Sequence, residues 1–495
     1  REYLPGLKFY NDEMNNQITV RDLMCHRTGL PRHDYSWYLF NSDSGDSLLQ
    51  RVKYQEPTFP VRRQWQYNNF MFTAQGSIAE KITGQTWEKN LAEKIFKPLG
   101  MTRSNFSIAE LEKASDVALG YEVKNNKDIR KMDYYHIRGM APAGSINSSV
   151  NEMSNWVMTW INGGKFKGTE VLPTAYVTEA MSSQMVIGAG LPSKEHPDIQ
   201  FANYGYGWFM ASYKGHYRVE HGGNIDGFSA STSFFPADSI GIVVLVNQNG
   251  SSVPAIVRNT IADRLLGVTQ TDWNKELKDA ADKARKENEE AQAKKTSSNV
   301  TGTRPSHALE AFQGKYSHPG YGTFTVMVKN DSLFAKMPKH LFWLRHCHYD
   351  VFEPFEKGKY GIDTSDGSEL RFNFFSGNMG EIESVFITGI QPGLKPLSFE
   401  RAPTTEKVTP EQLKKYLGDY AIGEMTAKVY VKTGETLFLF VDGQPEYELL
   451  YLGSHKFSIK TLPDFKLEFL ESAGGAFNEI TVRQPNGTFK AVRKK

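Results

Sequence analysis

Phe312-Gln-Gly314-Lys-Tyr316 returns 104 residues later as Tyr416-Leu-Gly418-Asp-Tyr420. At the same offset, Val328-Lys-Asn-Asp-Ser-Leu333-Phe334 meets Lys432-Thr-Gly-Glu-Thr-Leu437-Phe438. Ungapped agreement at two places requires two copies of one folding unit. Alternating strands and short turns (Asn330-Asp331, Asp442-Gly443, Asn486-Gly487) predict small meander barrels or curled sheets over 306–402 and 403–495. Upstream, Trp273 to Lys295 is dominated by Lys, Glu, Asp and Ala, with Trp273 and Leu277 as its few apolar anchors. That is the pattern of a solvated helix, and Thr296 to Pro305 then reads as a linker. The chain is thereby divided into 1–268, a charged helix and linker at 269–305, and two β units.

At roughly 100–200 residues per domain, a chain of 495 residues accommodates two to four domains. Lys plus Arg is 58 and Asp plus Glu 56, a net charge of +2. This balance excludes the concentrated basic footprint of a dedicated nucleic-acid binder. The longest strongly apolar run, Ile240 to Val246, is broken by Gly241 and is too short to span a bilayer. Cys25 and Cys347 are expected to be free thiols. His346-Cys347-His348 would place two imidazoles on one face of a regular strand, but no second ligand cluster follows at zinc spacing. No metal site and no cofactor are expected.

The first 268 residues mix two periods. Phe72–Ile82 and Asn151–Ile161 read as amphipathic helices, Ser231–Pro236 and Ser239–Asn247 as strands, and Val253–Leu266 as a helix stopped by Gly267. The fold class expected is α/β (α+β), with helices around an antiparallel sheet, followed by the two small all-β units.

Four segments of this first part carry a resemblance. They are Ile18-Thr-Val-Arg-Asp-Leu-Met-Cys-His-Arg-Thr-Gly-Leu-Pro31, Tyr67-Asn68-Asn69, Pro142-Ala-Gly144 with Ser148-Ser-Val-Asn-Glu, and Tyr204-Gly-Tyr-Gly-Trp208 followed by His221-Gly222-Gly223. In that order they resemble the motifs of serine hydrolases related to class C β-lactamases and D-Ala-D-Ala carboxypeptidases. The resemblance covers about residues 1–267, and the two β units resemble the lipocalin-like appendages of such hydrolases.

It implies that Tyr67 and His221 act in catalysis, and that Asn69, Gly222, Gly223 and Asn224 bind substrate or stabilise an oxyanion. A tyrosine can move the proton of a serine only if neighbouring cations or donors lower its pKa from about 10. On its residues alone, Tyr67 could equally be a capping or core aromatic. Asn69 offers an amide donor and acceptor, and could instead be the N-cap of the following helix. His221 would begin an edge strand that binds substrate as an extra strand, with the Asn224 amide as oxyanion donor; a surface His before a Gly-Gly turn is the alternative. Relatives carry Lys in Lys-Thr-Gly at that place. A mostly neutral His points toward esterases, aminopeptidases and D-peptidases rather than β-lactam hydrolysis. His26 resembles a structural motif closing a turn.

The nucleophile of such enzymes lies in Ser-x-x-Lys, and no Ser here is followed three residues later by Lys. Relatives place that motif some tens of residues before the segment that begins here at Ile18, so it would fall upstream of Arg1. The expectation is a parent protein with an N-terminal segment that supplies the serine; a chain that never had one would be a binding pseudoenzyme. Substrates would be D-amino-acid peptides, peptidoglycan stem peptides, small esters or β-lactams. The resemblance further implies a periplasmic or secreted protein. The β units would shape access to the cleft, mediate assembly, hold a ligand of their own or simply support the fold.

Overall fold

A six-stranded antiparallel sheet organises the first part of the chain. Its strands are β1 (Met185–Val186), β2 (Ala202–Tyr204), β3 (Phe209–Tyr213), β4 (His216–Ile225), β5 (Phe228–Phe235) and β6 (Ile240–Val246), in the spatial order β6-β5-β4-β3-β2-β1. The computed structural model describes residues 2–494 except 125–126, 189–191, 195, 298–299, 366, 379, 392, 404, 433–435, 473 and 485–486, with side chains at all but 292, 295–297 and 463. Asn486 of the Asn486-Gly487 turn, residues 433–435 of the repeat and 298–299 of the linker lie outside the described residues. Two compact units result: Arg1–Ser298 with Pro319–Tyr321 and Gln391–Leu394, and the remainder.

Strand β6 explains why its sequence is apolar throughout rather than alternating. Val243 packs with Val157 and Trp160 of the helix Val150–Ile161, while Ile242 and Val244 pack with Ala262 of the helix Val253–Leu265. Both faces of the strand are therefore covered. Gly241 belongs to the same packing. A Cβ there would lie 2.5 Å from Val157 Cγ1, so the glycine that interrupts the run is what lets the helix lie against the sheet.

Four helices of this unit matter below: α1 (Val20–Met24), α2 (Asn69–Thr83), α3 (Val150–Ile161) and α4 (Val253–Leu265). Helix α2 begins three residues earlier than its apolar period suggested. Its N-cap is Asn68, whose side chain accepts the amide of Phe70, and Phe70, Met71, Ala74 and Ile78 are buried with Leu23, Leu30 and Met140. The charged run forms helix α5 (Trp273–Ser297), with pairs such as Lys275–Asp279 along its exposed face. Among the described residues no helix is long and apolar enough to cross a membrane.

Asp22, in α1, is fully buried and is the charge around which the N-terminal loops close. Thr19 donates its amide and its hydroxyl to Oδ2 at 2.9 and 2.8 Å. Arg27 Nε reaches Oδ1 at 2.6 Å, and Arg62 grips both oxygens, Nε on Oδ1 at 2.9 Å and Nη2 on Oδ2 at 2.7 Å. Burial pulls the Asp22 carboxyl up, but the hydrogen bonds from Arg62, Thr19 and Arg27 prevail and hold it at about 2 instead of 3.8.

The second unit holds two barrels. In the first, β7 (Gly314–His318), β8 (Gly322–Lys329), β9 (Ser332–Lys336), β10 (Leu341–His348), β11 (Val351–Gly358), β12 (Arg371–Ser376), β13 (Ile382–Thr388) and β14 (Leu397–Ala402) run in the order β10-β9-β8-β7-β14-β13-β12-β11, and β10 pairs β11 to close the ring. The second closes eight strands, from Gly418–Ile422 to Gly487–Arg493, in sequential order. The repeat survives as identical bonding. Tyr316 donates to the Phe312 carbonyl and Tyr420 to the Tyr416 carbonyl, while Arg401 and Arg493 bond the carbonyls of Gln313 and Leu417.

His346 and His348 do not share a face. His346 pairs Phe352 and His348 pairs Val351, with a register shift between them, so the bulge turns the two rings to opposite sides of the strand. Neither Cys25 nor Cys347 is in a disulfide.

Asp22 sets a test of the fold. Its carboxyl is held below its ordinary value, so its contribution is complete above about pH 4 and is lost as pH falls through about 2. Asp22→Asn should cost about 3 kcal/mol at pH 7, read by urea denaturation, and the gap between variant and parent should close toward pH 2. A gap that does not change with pH would show that the carboxylate charge is not what holds these loops.

Candidate active site

Position 67 is fixed by a backbone clasp between two loops. Arg62 N donates to the Arg27 carbonyl at 2.8 Å, Thr58 N to the Gly29 carbonyl at 3.0 Å, and Gln66 N to the His26 carbonyl at 2.8 Å. Gly29 sits at φ +87°, and a Cβ there would come within 2.1 Å of the Phe59 carbonyl oxygen, so glycine is required at this crossing. Asn68 completes the clasp by donating its side-chain amide to the Pro31 carbonyl at 2.6 Å. Tyr67 thus lies just before the N-cap of α2, close to the helix start that the sequence suggested.

The Tyr67 ring lies 4.2 Å from the His26 ring and 6.1 Å from both His221 and Trp65, centroid to centroid. The Arg32 guanidinium stands over it at 4.7 Å. Tyr204 and Phe209 continue the aromatic wall, Phe209 at 5.3 Å from His221 and 5.6 Å from Trp65. This wall bears directly on the condition that Tyr67 must meet to act as a base. Burial raises the phenol of Tyr67 above 10, and the opposing pull of Arg32 does not overcome it.

His221 has a defined tautomer. Its Nδ1 meets the Gly222 carbonyl at 2.6 Å, and a carbonyl only accepts, so Nδ1 carries the proton. Nε2 is then an acceptor, and the Tyr204 hydroxyl donates to it at 3.2 Å. Burial lowers the pKa of His221 below 6.5, which favours the neutral ring.

Strand β4 is an interior strand, not the edge strand expected, yet half of it offers an edge. Its pairing with β3 ends at Phe209↔Glu220, whereas its pairing with β5 runs on to Ile225↔Phe228. Ile225 and Phe228 flank a two-residue turn and so exchange both backbone bonds, which fixes the alternation. Odd residues from Val219 to Ile225 bond to β5; even ones bond the other way. His216, Arg218 and Glu220 face β3, and Gly222 and Asn224 are next in that series with no β3 residue opposite. Their backbone amides form a short open edge beside His221, whose Nδ1 already occupies the Gly222 carbonyl. Gly222, Gly223 and Asn224 are exposed there. The Asn224 side chain is engaged elsewhere, accepting from Gly250 N at 2.7 Å and Ser229 Oγ at 2.8 Å.

Asn69 is the first helical residue, not the N-cap, a place its neighbour Asn68 takes. Its amide donates to Asp34 Oδ1 at 3.0 Å, where Trp37 Nε1 also donates at 2.8 Å. Asp34 Oδ2 pairs with Arg32 at 2.5 Å. Asn69 therefore reaches Tyr67 through Asp34 and Arg32 rather than directly. The structure brings Tyr67, His221 and the 222–224 edge together and sets Asn69 one step behind. Sequence reasoning missed Arg32 and Asp34, for which the only signal was a charged pair directly after Leu30-Pro31, and gave no role to Tyr204 within its own motif.

Arg32 is the lever on the phenol. Arg32→Ala should move the Tyr67 titration further up in ultraviolet difference spectra, with Tyr67→Phe identifying the step. An unchanged step would mean that the guanidinium does not act on this ring.

The chain matches the Beta-lactamase family over residues 1–267 and a Domain of unknown function (DUF3471) over 298–401. Among curated relatives, Unguisins hydrolase ungD' of Aspergillus campestris is 27% identical over 334 residues, covering 63% of this chain and 59% of the relative. Protein flp of Staphylococcus aureus is 23% identical over 261 residues, 52% of this chain and 49% of that protein. The chain thus spans 59% and 49% of the lengths of these two relatives. Among solved structures, the octameric penicillin-binding protein homologue from Pyrococcus abyssi aligns with a TM-score of 0.46 at 16% identity, over 80% of this chain and 83% of that one. With 267 of its 495 residues inside that match, the chain belongs to the Beta-lactamase family.

Proposed function

We propose that this chain is the greater part of a serine hydrolase that works through an acyl-enzyme on amide or ester bonds. A serine and a lysine in residues preceding Arg1 would complete the site. One observation carries the reading: the Tyr67 phenol and the His221 imidazole lie 6.1 Å apart beside a strand edge whose next two outward amides, at Gly222 and Asn224, have no partner in β3.

Each part has a task in acyl transfer. A peptide-like substrate adds to the open edge at 222–224 as a short extra strand, which holds its carbonyl in register. One outward amide, that of Asn224, stabilises the oxyanion. The lysine adds the positive charge that the aromatic wall withholds, and Tyr67 then takes the proton of the serine and returns it to the leaving group. His221, neutral and with Nδ1 tied to Gly222, keeps the wall and the strand edge in fixed relation. The name of the Aspergillus relative, a hydrolase of unguisins, supports hydrolysis as the reaction class. Peptides containing D-residues, small esters and β-lactams are the substrates to try first.

The intact protein should be labelled by a fluorophosphonate or a fluorescent penicillin. Tyr67→Phe should slow that labelling by roughly 100-fold or more while leaving the fold intact by circular dichroism. A folded, intact protein that takes no label would favour a ligand-binding member of the family instead.

A further inference from the structure

We propose that His26 is the positioning residue for Tyr67, holding the amides on both sides of it while its ring supports the phenol. The claim deepens the reading above and rests on Tyr67 being the group that moves the proton.

The geometry is a bracket. The His26 carbonyl accepts from Gln66 N at 2.8 Å, and its Nδ1 accepts from Asn68 N at 3.1 Å. These are the amides on either side of residue 67, so one residue fixes the backbone before and after the phenol. The rings then lie 4.2 Å apart at an interplanar angle of 38°, which limits where the phenol can swing. Because Nδ1 accepts, the neutral ring carries its proton on Nε2. His26 is fully buried among Tyr67, Phe72, Tyr204 and Trp65, and Nε2 has no hydrogen-bond partner among the described residues.

Two features argue that more than packing keeps a histidine here. Its backbone sits at φ +51°, a conformation most residues avoid, and a buried donor is left unpaired. A site serving the core alone would be better filled by an apolar residue. Local strain of this kind persists where surrounding structure enforces it for a purpose. Burial, with smaller contributions from His221 and Arg32, depresses the ring to about 3, so Nδ1 keeps its acceptor lone pair throughout the neutral range.

The test compares His26→Asn, His26→Gln and His26→Ala in the intact protein. Asn tolerates positive φ and can present its Oδ1 where Nδ1 now lies; Gln sets its acceptor one bond too far, and Ala has none. His26→Asn should keep kcat within about threefold of the parent, while His26→Ala and His26→Gln lose roughly 100-fold in kcat with KM nearly unchanged, the size of loss expected for a reacting group displaced by about an ångström. Equal losses in Asn and Gln at matched folded fractions, or a folded His26→Ala with parental kcat, would overturn the proposal. If Ala does not fold, the Asn–Gln pair decides. A second readout needs no turnover. The Tyr67 ring resonance of tyrosine-labelled protein should stay sharp and in place in His26→Asn and should shift and broaden in His26→Gln. Inactivity of the parent would sink the proposed function, whereas unchanged Tyr67 resonances in every variant would sink the positioning role.

Discussion

A carboxylate with no access to water must be met by donors or it will not stay charged, and Asp22 meets five of them, from Thr19, Arg27 and Arg62. The consequence is geometric. Once Arg27 and Arg62 converge on one side chain, their backbones lie close enough for Arg62 N to reach the Arg27 carbonyl, and the next contacts follow in register toward His26 and Gln66. The position of the Tyr67 phenol is thus inherited from an ion cluster that never touches it. Arg27 extends the same cluster to the Gln184 carbonyl just before β1, so the loops and the sheet share one anchor.

Around Tyr67 the dominant influence is exclusion of water rather than charge. Trp65 is far in sequence from Tyr204 and Phe209, and together their rings help keep water from His26, Tyr67 and His221. His26 and His221 are pushed toward the neutral ring and Tyr67 toward the neutral phenol by the same cause. Neutral histidines are useful here because each then has one fixed donor and one fixed acceptor. His221 uses both, on Gly222 and Tyr204; His26 uses its acceptor to hold Asn68.

What could be read from sequence was whatever repeats over short distances. The helical period over Phe72–Ile82, the apolar run of β6 and the 104-residue echo all have local causes, and each became an element or a barrel. The readings that failed depended on partners from elsewhere. Asn68 and Asn69 are equivalent as letters, and only the Pro31 carbonyl, brought in by the loop clasp, chooses Asn68 as the cap. Strand β4 read as an edge because pairing order is not a property of one strand. A regular alternation put His346 and His348 together, and one extra residue in β10 separated them. The direction of the Tyr67 shift was left open by the sequence, because the aromatic wall that sets it is assembled from several segments.

That wall also fixes what an acyl-transfer reading demands. Arg32 favours the phenolate, but it is about half exposed and Asp34 holds it at 2.5 Å, so its charge is largely answered before it reaches the ring. One further cation about 4 Å from the phenol oxygen would be worth about 4 kcal/mol at an effective dielectric near 20. At about 1.4 kcal/mol per pKa unit, that is close to three units, the difference between a phenol inert at neutral pH and one able to take a proton. Water exclusion therefore works in both directions. It keeps Tyr67 silent without such a cation, and it magnifies the effect of the cation once present, so a lysine delivered with the serine would switch on base and nucleophile in the same structural event.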